Sequence, residues 1–234
     1  MHAPELELHL RRRRLTRSLV GLVLVIIALH LFWWSTDSLD LPGETLWRRL
    51  ANVDAENAFP TWLAAVLMTG AAGLSAVLGR DEHRREGSYA RHWYVLAAIM
   101  AVLSVDEVAA LHEATAGPLR AALDLSGLFY YGWVVPALIG VVVLTVAYGR
   151  FVLALRAPAK GRVVLAAALF VGGAVGLEMV AGLFAGTAAR DGAGFFLLAT
   201  TEEVMELAGL ILLIDTFLLL LEDRRPRILV TLGR

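Results

Sequence analysis

Six runs of roughly 20 apolar residues, divided by short polar segments, limit what this chain can fold into. They lie at about Leu15–Trp34, Pro60–Leu78, Trp93–Leu111, Leu128–Gly149, Val163–Ala185 and Phe195–Leu221. At about 1.5 Å per residue, each can cross a hydrocarbon core of about 30 Å as an α-helix. Lipid offers no water to bond exposed peptide groups, so such runs must close their hydrogen bonds internally, as helices do. Composition agrees, with 58% hydrophobic and 18% charged residues and a mean hydropathy of +0.67; soluble domains carry about a quarter charged residues. The sequence therefore predicts an all-α polytopic membrane helix bundle, a single transmembrane domain over 1–234 in contact with the lipid bilayer. Neither a Gly/Ser/Pro linker nor a repeat of about 20 to 50 residues divides it. The basic stretch Arg11–Arg14 before the first run resembles the start of a signal peptide, but the run ends in His-Leu-Phe-Trp-Trp-Ser without a small-residue cleavage site. It is read as an uncleaved first helix.

Orientation follows from arginine, which is enriched in short cytoplasmic loops. Arg11 to Arg14 and Arg17, then Arg80, Arg84, Arg85 and Arg91, then Arg150, Arg156, Lys160 and Arg162, and finally Arg224, Arg225, Arg227 and Arg234 fall on one side of a six-span topology. Both termini are therefore expected in the cytoplasm. The net charge of −1 gives no basic field for nucleic acid, which is excluded as a partner. Zero cysteines exclude disulfides, thiolate metal sites and a cysteine nucleophile.

The unusual residues are ionisable groups inside or at the ends of the spans: Asp106, Glu107, His112 and Glu113 on the third, Glu178 in the fifth, and Glu202, Glu203 and Glu206 on the sixth. The topology puts all of them at a similar depth in the outer half. On a continuous helix, at about 100° per residue, Asp106 and Glu113 share a face to within about 20°. An ionised side chain at mid-membrane costs about 2.5–3.5 kcal/mol, less near the interface, so seven carboxylates demand cations, shared protons or water. The outer half offers only Arg48, Arg49, Arg120 and Arg190, all in loops. A divalent metal ion (iron, manganese, magnesium, calcium or zinc) suits a cluster of oxygen ligands with one imidazole. The alternative is that several acids, Glu202 and Glu203 first, merely cap helix ends and face interfacial water.

Weaker signals remain. Gly172, Gly173, Gly176, Gly182 and Gly186 include two GxxxG spacings, which allow close helix approach and would bring Glu178 against a neighbour. The outer loop 35–59 holds Leu46-Trp47-Arg48-Arg49-Leu50, readable as an interfacial helix or a lid. His30, beside Trp33 and Trp34, is read as an aromatic-belt residue or a rim residue of the site, and His83 and His92 as solvated. His112 begins His-Glu-Ala-Thr-Ala, which lacks the second histidine of a zincin helix, and neither a Walker loop nor a G-x-S-x-G elbow is present.

Glu56-Asn57-Ala-Phe-Pro60-Thr61-Trp62, Leu103-Ser104-Val-Asp106-Glu107, His112-Glu113, Gly172-Gly173-Ala174 with Glu178, and Glu202-Glu203-Val-Met-Glu206 together resemble a family of bacterial six-helix integral membrane proteins with no assigned activity. The resemblance covers roughly residues 36 to 215. It implies a multi-pass protein of the bacterial inner (cytoplasmic) membrane and adds Glu56 and Asn57 as rim residues.

Three classes of function fit these features. The first is a metal-binding membrane protein, an enzyme or redox protein acting on a lipid or small-molecule substrate. The second is a proton- or cation-coupled transporter or channel, although the halves show no inverted repeat. The third is an accessory subunit whose acids are satisfied by a membrane-protein partner or a second copy of the chain. The topology is testable with single cysteines: one at Asp40 should react from outside and one at Glu222 only from the cytoplasm, and reaction of both from the same side would overturn it.

Overall fold

The computed structural model describes residues 12–36 and 43–224, with the Asp191 side chain excepted. Arg11, Asp40, Arg225, Arg227 and Arg234, which the topology above used, lie outside the described residues. Six helices are long and apolar enough to cross a membrane: Arg12–Ser35, Phe59–Arg84, Ala90–Ala109, Val134–Ala154, Ala157–Ala181 and Ala193–Arg224. In chain order the described residues form α1 (Arg12–Ser35), α2 (Glu44–Ala51), α3 (Phe59–Arg84), α4 (Ala90–Ala109), α5 (Leu111–Leu123), α6 (Val134–Ala154), α7 (Ala157–Val171), α8 (Glu178–Ala181) and α9 (Ala193–Arg224). No strand occurs among them.

Three boundaries differ from the sequence expectation in ways that matter for the site. The third span does not continue to Leu111. It stops at Ala109, because Ala110 adopts a left-handed conformation (φ 48°), and α5 starts afresh beyond it. The fourth span begins at Val134 rather than Leu128; Gly127–Phe129 instead form a single 3₁₀ turn. The fifth is not a uniform helix, since Gly172–Leu177 between α7 and α8 widen into a π turn with i→i+5 closure.

Burial is concentrated in two helices. Just over half of α9's most apolar stretch and half of α3's are buried, against 6% for α6. Leu63, Leu67, Met68, Ala71 and Leu78 of α3 meet Leu207, Leu210, Ile214 and Phe217 of α9, and Trp93 of α4 and Phe151 of α6 close the cluster. Ser75 Oγ donates to Trp93 O at 2.7 Å and Ser104 Oγ to Ala65 O at 2.8 Å, pinning α4 along α3. By contrast Val142, Val143 and Val146 of α6 and Val102, Val105 and Val108 of α4 are exposed, as expected of side chains that face lipid.

The end of the bundle carrying most of the arginines is tied by ion pairs. Asp215 of α9, 4% exposed, accepts from Arg12 of α1 at 2.9 Å, from Thr16 at 2.6 Å and from Arg162 of α7. Glu222 accepts from Arg12 at 2.9 Å, Glu82 from Arg224 at 2.8 Å, Asp81 from Arg85 at 2.9 Å, and Asp223 pairs with Arg156. This network explains why α3 and α9 run beyond the apolar segments read from sequence. Their last turns carry Asp81, Glu82 and Arg224, whose partners are supplied by neighbouring helices. Asp215→Asn leaves Arg12 and Arg162 facing a neutral amide and should destabilise the fold by about 3 kcal/mol, the low end for a buried pair because both guanidinium groups keep some solvent contact. The thermal midpoint in detergent, compared with that of Asp223→Asn at the exposed rim, measures this.

Candidate metal centre at the acidic end

At the opposite end of the bundle the helix break at Ala110 builds the first part of a site. Where α4 stops, the backbone N–H groups of the next turn lose their helical acceptors. Asp106, in the last turn of α4, replaces one of them: its Oδ1 accepts the His112 backbone N–H at 3.0 Å, and its Oδ2 accepts His112 Nδ1 at 2.8 Å. An ionised carboxylate can only accept, so a neutral imidazole in this geometry would carry its proton on Nδ1 and keep Nε2 as its ligand atom. A carboxylate behind a histidine is the usual way a metal-ligating imidazole is oriented. Trp133 packs edge-on against His112, with ring centroids 5.0 Å apart.

The two loop-side acids complete the cluster. Glu56, in the turn before α3, and Glu113, the next residue after His112, each bring a carboxylate oxygen, and His112 a ring nitrogen, all within 4.8 Å of one another. Ligands held about 2.0–2.4 Å from one ion stand no more than about 4–5 Å apart, so the spacing suits a shared cation. Glu56 Oε2 is buried with no hydrogen-bond partner among the described residues. Burial lifts the Glu56 carboxyl above its usual range, the negative Glu113 and Asp106 push the same way, and His112 opposes them. Glu113 is exposed, so the cluster opens at the acidic face.

The remaining acids line a cavity of about 840 Å³ that runs inward from this mouth, whose wall includes Asp106, Glu107, His112, Glu113, Glu178, Glu202, Glu203 and Glu206 together with Glu56 and Asp54. Trp133 Nε1 donates to Glu178 Oε1 at 3.2 Å, and Glu202 lies within side-chain hydrogen-bond reach of Glu178. Two carboxyl groups so close need a proton or a cation between them. The approach is made possible by glycine: a Cβ at Gly173 would sit 2.8 Å from Glu202 O and 2.9 Å from Glu206 Cγ, and one at Gly209 would sit 2.8 Å from Ala166 O.

Among the described residues no arginine pairs with Glu107, Glu178, Glu202, Glu203 or Glu206, and only Asp54, at the edge of the wall, feels one, Arg190. Arg48 bonds the Trp33 and Thr36 carbonyls, Arg120 lies over the Tyr130 ring, and Arg190 bonds Tyr131 OH at 3.2 Å.

Four expectations need correction. Asp106 and Glu113 do not share the face of one helix, because the chain breaks between them; Asp106 serves His112 across the break. His30 does not line the cavity. It is buried with Nδ1 accepting from Val53 N at 3.4 Å, Nε2 bonded to Thr200 Oγ1 at 3.1 Å, and its ring stacked on Phe196, so it joins α1 to α9. Asn57 is exposed at φ 56° in the turn leading to α3 and is also absent from the cavity wall. His92 is packed among Tyr89, Tyr148 and Phe151 rather than solvated.

The family described as "Domain of unknown function (DUF8692)" matches residues 18–221. The chain belongs to the DUF8692 family. No curated protein and no solved structure matches it.

In this DUF8692 chain two contributors had escaped the sequence. Asp54 sits in a polar loop where an acid needs no explanation, and Trp133 reads as one more belt aromatic in Tyr130-Tyr131-Gly132-Trp133. The glycine geometry gives a sharp test. Gly173→Ala should cost about 1–3 kcal/mol by forcing the fifth and sixth spans apart. Gly176→Ala, whose Cβ would meet nothing within 4 Å, should leave thermal stability in detergent unchanged or slightly higher.

Proposed function

We propose that this chain is a multi-pass membrane metalloprotein in which Glu56, His112 and Glu113 hold a divalent cation at the mouth of the acidic cavity. The observation that carries the proposal is the convergence of three donor atoms within 4.8 Å, one of them on a histidine already oriented by Asp106. Two carboxylates and an imidazole suit iron, manganese or zinc better than magnesium or calcium, which prefer all-oxygen shells. A cation held there supplies Lewis-acid polarisation of water or of a substrate oxygen. The chain's own contribution is to fix the imidazole through Asp106, to keep the Glu56 carboxylate partly buried, and to leave an open side at exposed Glu113. Glu107, Glu178, Glu202, Glu203 and Glu206 remain on the wall beyond it as acceptors for a bound molecule.

A metal-dependent enzyme fits this arrangement better than a channel, because the inner part of the cavity is lined mainly by leucine, valine and alanine, which offer an ion little to replace its hydration. The arginine distribution orients both termini towards the cytoplasm and the metal towards the outside of a bacterial inner membrane.

Elemental analysis of detergent-purified protein should find close to one equivalent of a divalent transition metal. Glu56→Gln and His112→Gln should each lose it, while Asp106→Asn, which frees the imidazole without removing a ligand, should weaken retention about 10–100-fold. A metal-free wild-type protein that stays metal-free after incubation with iron, manganese and zinc would overturn the proposal.

A further inference from the structure

The cavity continues well past the acids. Below Glu107 it is walled by Leu96, Ile99 and Leu103 of α4 on one side and by Ala137, Gly140 and Leu144 of α6 on the other. Contacts close this stretch at its two ends, α4 with α6 at one and α5 with the residue before α6 at the other. At one end Tyr148 OH donates to His92 O at 2.9 Å and Phe151 stacks on His92; at the other Trp133 abuts His112. Between these contacts a corridor runs about 16 Å along α4 from Glu107 to Leu96 at 1.5 Å per residue, half of a hydrocarbon core of about 30 Å. Its α6 wall is made partly of small side chains, and a Cβ at Gly140 would meet nothing within 4 Å. No lysine or arginine among the described residues lines either the corridor or the mouth.

We infer that the corridor seats the hydrocarbon chain of a membrane lipid, with its polar head among Glu107, Glu178, Glu202, Glu203 and Glu206, next to the metal proposed above. The inference deepens that proposal by giving its substrate class. The length matches the chain of one leaflet, and the apolar wall is what such a chain requires. The head must donate hydrogen bonds and carry no negative charge, since five carboxyl groups beyond the metal cluster offer acceptors, and no lysine or arginine among the described residues lines the cavity to hold a phosphate. The class is therefore an amine- or hydroxyl-headed lipid.

The test uses the full-length protein in dioleoyl phosphatidylcholine nanodiscs with a hexadecylamine probe carrying a mid-chain diazirine, followed by peptide mapping of the photoadducts. Adducts should concentrate between Leu96 and Leu103 and between Ala137 and Leu144. Unlabelled hexadecylamine should compete at least tenfold better than hexadecyl phosphate. Gly140→Leu and Ala137→Leu, which fill the corridor from the α6 side, should each cut labelling about tenfold while keeping wild-type metal content and gel-filtration profile. Equal competition by the phosphate, adducts spread evenly to lipid-facing Val105 and Val142, or undiminished labelling in both variants would overturn the lipid seat and leave the metal site standing. Corridor labelling in a wild-type protein that binds no metal would support the lipid seat and remove the metal proposal instead.

Discussion

Glu206 and Asp215 lie nine residues apart on α9, about 14 Å along the same helix, and both carry a carboxyl group into a membrane bundle. Asp215 receives guanidinium groups from two other helices. Glu206 receives none among the described residues and instead lines a cavity with six other glutamates. Each carboxylate in lipid must be compensated, and the two ends of the bundle meet that demand by different means. Arginine at one end binds α1, α7 and α9 together. At the other end compensation is left to whatever occupies the cavity.

The architecture follows from this division. The ion pairs and the α3–α9 core fix the central helices, and glycines at 173 and 209 let α7 and its π turn press against α9. With α7 drawn inward and α4 pinned along α3 by Ser75 and Ser104, α6 is the least buried span. The space between α4 and α6 is thus a by-product of packing elsewhere, and it opens at the level where the acids converge.

Much of this was legible in the sequence, because apolar length alone sets the number of spans and the scarcity of charge in them makes each remaining acid conspicuous. All eight residues picked out inside or at the ends of the spans, from Asp106 to Glu206, line one cavity. What stayed hidden depends on backbone conformations that side-chain identity does not announce. Ala110 breaks a helix with a left-handed residue that is neither glycine nor asparagine, so a helical wheel carried through it gave Asp106 and Glu113 a common face they do not have. Glu56 looked peripheral because its approach to His112 is set by the fold of the loop before α3. Asp215, single among leucines and isoleucines, has partners that lie more than 50 residues away in sequence, beyond any local pattern.

The widened turn at Gly172–Leu177 has a consequence for the frame of the fifth span. A turn closed from i to i+5 holds one residue more than a regular turn, so every side chain beyond it is advanced by about one position, or about 100°, relative to the helix that precedes it. Glu178, the first residue after the turn, therefore occupies the azimuth that its neighbour would hold on an unbroken helix. α7 can present one phase of its apolar pattern to α9 while the segment after it presents another, and the carboxyl group reaches the cavity without disturbing the packing of the helix that carries it. The phase of the acid is written in the backbone between the two segments.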